Sequence, residues 1–163
     1  MTADATFEDG RERPLRLRAL DAEDLNVLAA LSQDAVFPAS EMRWDRAARR
    51  FAILLNRFRW EDAPKAEARK RPYERVQSVL AVEDVITVKS QGVDKSDPDM
   101  IYSLLGISFT PGVDGAGRVE LTLAGDGAIA LEVEALELVL QDVTRPYRAP
   151  SNQIPRHMLE DEG

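Results

Sequence analysis

Apolar and polar residues alternate over most of this chain, and breaks in the alternation mark changes of element. Leu15, Leu17 and Ala19 alternate with Arg16 and Arg18, which predicts a short strand ending near Leu20. Asp21 then reads as a helix N-cap, with Asp24 three residues on and Leu20 and Leu25 spaced as a hydrophobic staple. Leu25, Leu28, Leu31, Ser32 and Ala35 fall on one face of a helix over 22–35, and Pro38 ends the signal. A strand is expected around Glu41–Trp44. A stronger one follows over 50–60 (RFAILLNRFRW). Its apolar residues lie on both parities, Phe51, Ile53 and Leu55 on one face and Leu54, Phe58 and Trp60 on the other. A strand covered on both sides, or one bulged near Asn56, gives this pattern. Residues 61–72 (EDAPKAEARKRP) read as a charged loop.

The remainder reads as a β meander. Val76, Ser78, Leu80 and Val82 share a face, Glu83-Asp84 suggests a tight turn, and Ile86 and Val88 continue the pattern. Ile101 to Phe109, Val119 to Leu123 and Ile129 to Val133 alternate, with a glycine-rich loop at 110–117 and a hairpin turn at Gly125-Asp126-Gly127. The period then changes. Leu136, Val139, Leu140 and Val143 are spaced i, i+3, i+4, i+7, which predicts a short closing helix over 135–143. Residues 1–13 read as a disordered leader, 14–144 as a single domain and 145–163 as an extended or disordered tail. The fold class is therefore α+β. It is an antiparallel β-roll of about seven strands, with an N-terminal helix and a short C-terminal helix, resembling the pleckstrin-homology superfold in architecture. Fold-level analogy of this kind carries no function.

Composition removes whole classes of chemistry. The chain has no cysteine among its 163 residues, so disulfides, zinc–thiolate sites and thiol nucleophiles are excluded. That suits a reducing compartment. The acidic start MTADATFEDG has no apolar signal core, and no apolar run approaches a membrane span. A cytoplasmic location with no membrane partner is the expectation. His157, the one histidine, falls in the expected tail with no partner to fix its tautomer. Asp94, Ser96, Asp97 and Asp99 share a loop but lack the ligand spacing of a calcium loop. Gly112, Gly115 and Gly117 join two strands instead of opening a helix, unlike a phosphate loop. Glu120, Glu132 and Glu134 alternate with core positions and so face solvent. No catalytic set, no metal site and no cofactor is read from the sequence.

Charge draws attention to one segment. The net charge is −8, yet residues 43–75 carry 11 basic and 5 acidic side chains. Within them Arg43, Arg46, Arg49, Arg50, Arg57 and Arg59 surround Trp44, Phe58 and Trp60. Arginine interleaved with aromatics can bind phosphates and stack on bases. The candidate anion or partner surface is therefore Arg43, Trp44, Arg50, Arg57, Arg59 and Trp60, with Arg57 and Arg59 rimming a groove. Against it, basic and acidic segments can pair in the fold, and a net-negative protein repels a polyanion unless the patch is segregated.

FAILLNRFRWE at 51–61, the earlier Gln33-Asp34-Ala35 and the later RVQSVLAVEDV, SLLGISF and LAGDGAIALEVEALELVLQDV together resemble a bacterial domain family of unknown function, over roughly residues 15–145. The resemblance implies a small stand-alone cytoplasmic domain and transfers no activity. The sequence favours a non-catalytic binding or protein-interaction module, with a protein partner or a second copy as the partner. The apolar strand 50–60 is the expected edge for self-pairing. Two alternatives stand beside it. One is an anion or nucleic-acid binder through 43–71, although nucleic acid is disfavoured by net charge. The other is an enzyme using Asp, Glu, Arg or Tyr chemistry, drawing on Asp34, Arg57, Arg59 and the tyrosines Tyr73, Tyr102 and Tyr147.

Overall fold

A computed structural model of the protein describes residues 14–150 and 154–155. Strand β1 (Arg16–Ala19) leads into helix α1 (Ala22–Leu31). Asp21 caps the helix, its carboxylate accepting from the Asp24 N–H at 2.8 Å. The helix is shorter than its apolar pattern. Ser32 turns its hydroxyl back onto the Leu28 carbonyl at 2.9 Å, and Asp34 takes a positive φ of 62°, which ends the helical path. Leu25 and Leu28 are buried, whereas Leu20 is 53% exposed and adds little as a staple.

Strand β2 (Val36–Pro38) and a 3-10 turn (Ala39–Glu41) precede the hairpin of β3 (Met42–Asp45) and β4 (Arg50–Phe58). Asp45 fixes the hairpin loop by accepting from the Ala48 N–H at 3.0 Å, and Arg49 takes the left-handed conformation (φ 56°) that reverses the chain. Helix α2 (Ala63–Ala68) is followed by β5 (Glu74–Val82), β6 (Val85–Gln91), β7 (Ile101–Pro111), β8 (Gly117–Leu123) and β9 (Gly127–Val133). Strands β10 (Leu138–Asp142) and β11 (Tyr147–Arg148) complete the described chain.

All eleven strands belong to one antiparallel sheet, in the order β1-β10-β5-β4-β2-β7-β8-β9-β6, with β3 added to β4 and β11 to β5. The sheet curls around a single core. Ile53 and Leu55 of β4, Leu80 of β5, Leu121 of β8, Leu131 of β9 and Leu28 of α1 belong to one apolar cluster. Curling brings two of the sheet's unpaired strand edges, those of β3 and β6, across from each other. β5 occupies one side of β4 along its whole length, so β2 and β3 share the other side, and beyond β3 there is no further strand. β6 pairs only with β9 and ends the path at the other extreme.

The predicted closing helix over 135–143 is a strand. Leu138, Leu140 and Asp142 face inward at period two, and β10 lies between β1 and β5. Two ladders of backbone hydrogen bonds outweigh the helical spacing of Leu136, Val139, Leu140 and Val143. Together with β2 and β11 this raises the strand count above the N-terminal strand and about seven others expected, and it removes the terminal helix on which the pleckstrin-homology likeness relied. Residues 61–72, expected as a loop, contain α2, which begins with a proline in its first turn.

Strand 50–60 has no bulge at Asn56. Its register with β5 runs from Phe51↔Val82 to Phe58↔Arg75 without a shift. Its mixed parity arises because Phe58 turns outward under Trp60 and Tyr73, with ring centroids 4.7 and 5.5 Å away. β4 is paired on both sides, so it offers no edge for self-pairing. β5 and β6 do not form a hairpin. Glu83-Asp84 instead carries the chain from one part of the sheet to its far edge, hydrogen-bonded beside the β9–β10 connection (Glu83 N to Glu137 O, 2.9 Å; Glu134 N to Asp84 O, 3.0 Å).

The segment after 144 adds β11 to the sheet, and Ala149 is 2% exposed. The expected leader and His157 lie outside the described residues. Among the described residues no helix is long and apolar enough to cross a membrane.

Candidate functional site

Two of the sheet's unpaired edges, β3 and β6, face a common cavity of about 880 Å³. Alternation on β3 turns Met42 and Trp44 inward and leaves Arg43 and Asp45 exposed. On β6 a register shift between Val85 and Thr87 leaves Ile86 out of step. Val88 then pairs with the buried Leu131 and Ser90 with the buried Ile129, so both turn to the same side. Phe51 and Ile129 line the cavity from the core side.

Hydrogen bonds close the slot at both ends. At one end the Val85 N–H donates to the Arg49 carbonyl at 2.8 Å, and Arg49 pairs with Glu134 at 2.8 Å. At the other end the Ser40 N–H donates to Pro98 O and the Ala39 N–H to Met100 O, both at 2.9 Å. The loop 92–100 forms the adjoining wall. Its Asp94 N–H donates to the Tyr102 phenol oxygen at 2.8 Å, and its Val93 and Lys95 line the cavity. Asp94 itself is occupied, since its Oδ1 accepts from both the backbone and the hydroxyl of Ser96, which lowers its pKa. Asp97 likewise accepts from the Asp99 N–H. These carboxylates brace their own loop.

The sequence's basic candidates are distributed differently. Arg57 is fully buried: it continues the inward row of Phe51, Ile53 and Leu55 and does not rim a groove. It donates to Asp142 at 3.0 Å, to Ser78 at 3.0 Å and to Glu61 through both terminal nitrogens at 3.0 and 2.9 Å. Ser78 and the Leu15 N–H complete Asp142 at 2.7 and 3.0 Å. Burial works against the Arg57 charge, but the hydrogen bonds and charges of Glu61 and Asp142 outweigh it and raise its pKa.

Arg59 pairs with Glu74 and shares Glu61 with Arg57. Arg71 forms two 2.6 Å bonds to Asp62, and these hold the Asp62 pKa below its ordinary value. Arg50 is paired with Glu83. Trp60 is half-buried, with its indole N–H donated to the Gln33 carbonyl at 3.0 Å. Of the six candidate surface residues, then, Trp44 alone lines the slot, and Arg43 lies on the opposite face of the same strand. Asp34, the third suggested member of an enzyme site, donates its backbone N–H to the Leu104 carbonyl at 2.7 Å. Tyr73 donates to Glu67, away from the Tyr102–Asp94 contact.

Met42, Val88 and Lys95 were not singled out by the sequence. The slot depends on two edges far apart in the chain being left unpaired, and alternation within one strand carries no information about that. What the fold and slot define is a β-rich α+β domain with a ligand-sized cavity between two free strand edges. Residues 15–157 match a family described as protein of unknown function (DUF2948), and the chain belongs to that family. No curated protein and no solved structure matches it.

Proposed function

We propose that this protein is a non-catalytic binding module and that its ligand site is the slot between β3 and β6. The observation that carries the reading is the cavity itself. Its volume of about 880 Å³ falls in the range of small-molecule sites, and it combines an apolar floor of Phe51 and Ile129 with polar and charged residues such as Arg46, Ser90 and Lys95. Among the described residues the two carboxyls with displaced pKa values, Asp62 and Asp94, are both pulled down, whereas a general acid needs one pushed up. The roll serves as a scaffold, with a likeness to the pleckstrin-homology architecture that lies in the curled sheet alone. A bacterial cytoplasmic setting belongs to the same proposal, and the lack of cysteine is compatible with a reducing compartment.

A small-molecule thermal-shift screen tests it. A ligand at about 100 times its dissociation constant adds about 2.7 kcal/mol of apparent stability. The reading expects hits that stabilise the parent chain and leave a folded Trp44→Ala variant unchanged. Hits that stabilise that variant equally well place the site elsewhere and overturn it.

A further inference from the structure

Resting on that reading, we infer that the ligand is a free small amphipathic anion. Its apolar, aromatic body lies against Trp44, Met42 and Val88, and its acidic group meets Arg46 and Lys95. Three features of the slot carry this, the first being its closure. The Val85–Arg49 bond at one end and the Ser40–Pro98 and Ala39–Met100 bonds at the other join the walls across the ends of the slot. The bounded volume suits a molecule of limited size.

The second feature is the wall. Met42 and Trp44 are partly buried hydrophobics packed against the core from β3, and Val88 and Val93 do the same from the opposite side. An indole face and a polarizable thioether favour a flat unsaturated partner. The Trp44 indole N–H donates to no described residue, unlike that of Trp60.

The third is charge. In a chain of net charge −8, Arg49, Arg50, Arg57, Arg59 and Arg71 are each paired with a carboxylate. Arg46 and Lys95 both line the slot, and neither has a described carboxylate within 4.0 Å. The two acids that share the lining are engaged, Glu134 by Arg49 and Asp94 by Ser96. The slot lining thus carries Arg46, Arg49 and Lys95 against Asp94 and Glu134, one net positive charge beside an apolar floor, a pairing complementary to an aromatic carboxylate or sulfonate.

Two probes with the same ring system separate the parts of the claim. 1-Anilinonaphthalene-8-sulfonate carries an anionic group, and N-phenyl-1-naphthylamine is its neutral counterpart. Each is titrated into the full chain carrying Trp60→Phe, where energy transfer from Trp44 reports occupancy. If that variant does not fold, the probe's own emission with the unmodified chain gives the same titration. The sulfonate is expected to bind more tightly than the amine. The double variant Arg46→Gln/Lys95→Gln is expected to weaken the sulfonate roughly threefold to tenfold while leaving the amine within about twofold, as for two exposed ion pairs. Added salt weakens the sulfonate alone. Equal affinity for both probes, with no effect of the double variant, overturns the anion assignment and leaves the slot as an apolar site. Failure of both probes to bind overturns the binding reading beneath it.

Discussion

Arg57 closes an inward row that otherwise holds Phe51, Ile53 and Leu55, and it is tolerated there because Asp142, Ser78 and Glu61 take up its N–H groups. Asp142 also accepts from the backbone of Leu15, so this one carboxylate ties β4, β5 and β10 to the segment entering β1. Replacing Asp142 with Ala leaves a buried guanidinium, a buried hydroxyl and a backbone N–H short of an acceptor. The expected loss is about 3–5 kcal/mol in urea unfolding, and the paired replacement Arg57→Met/Asp142→Leu recovers part of it. A loss under about 1 kcal/mol contradicts the buried network.

Asp62 gives a pH-dependent counterpart. Its folded pKa is depressed by Arg71, so its stabilising contribution is present above the ordinary value of 3.8 and is lost as pH falls through the lower folded value. The stability difference between the parent and Arg71→Gln is therefore expected to be full at neutral pH and to shrink as pH falls below the ordinary value of 3.8. A difference that is constant with pH contradicts the assignment.

At the scale of elements, alternation was legible where a strand sits at a simple solvent boundary. β8 and β9 keep strict parity around the Gly125-Asp126 turn, whose residues take φ values of 81° and 66°. The cap of α1 was equally legible, since Asp21 and Asp24 are local to one another. Asp21→Ala is expected to cost about 1 kcal/mol by thermal or urea unfolding. β10 was not legible. Its residues satisfy both a helical and a strand period, and the choice is made by β1 and β5, which are distant in sequence. Arg57 was read on the right row and the wrong side. A charged residue on an apolar row signals either a rim or a buried pair, and Asp142 lies 85 positions away. The segment 43–75 shows the same difficulty. Some of its partners (Glu61, Asp62 and Glu74) lie within it and others (Glu83, Glu134 and Asp142) beyond it, so an apparent basic patch is largely internal pairing.

At the scale of the whole molecule, the proposed site depends on how the sheet ends. Curling brings β3 and β6 to face each other across a cavity that neither strand closes, and the proposed anion would meet the cations there that lack a carboxylate partner. Trp44 was found from sequence for its place beside arginines, but its role follows from lying inward on an edge strand. The most direct test is hydrogen–deuterium exchange of the full chain with and without saturating 1-anilinonaphthalene-8-sulfonate. The predicted result is new protection confined to residues 39–46 and 85–95, with 57–75 unchanged. Protection centred on 57–75, or none in either edge while the probe is bound, contradicts the slot as the binding site.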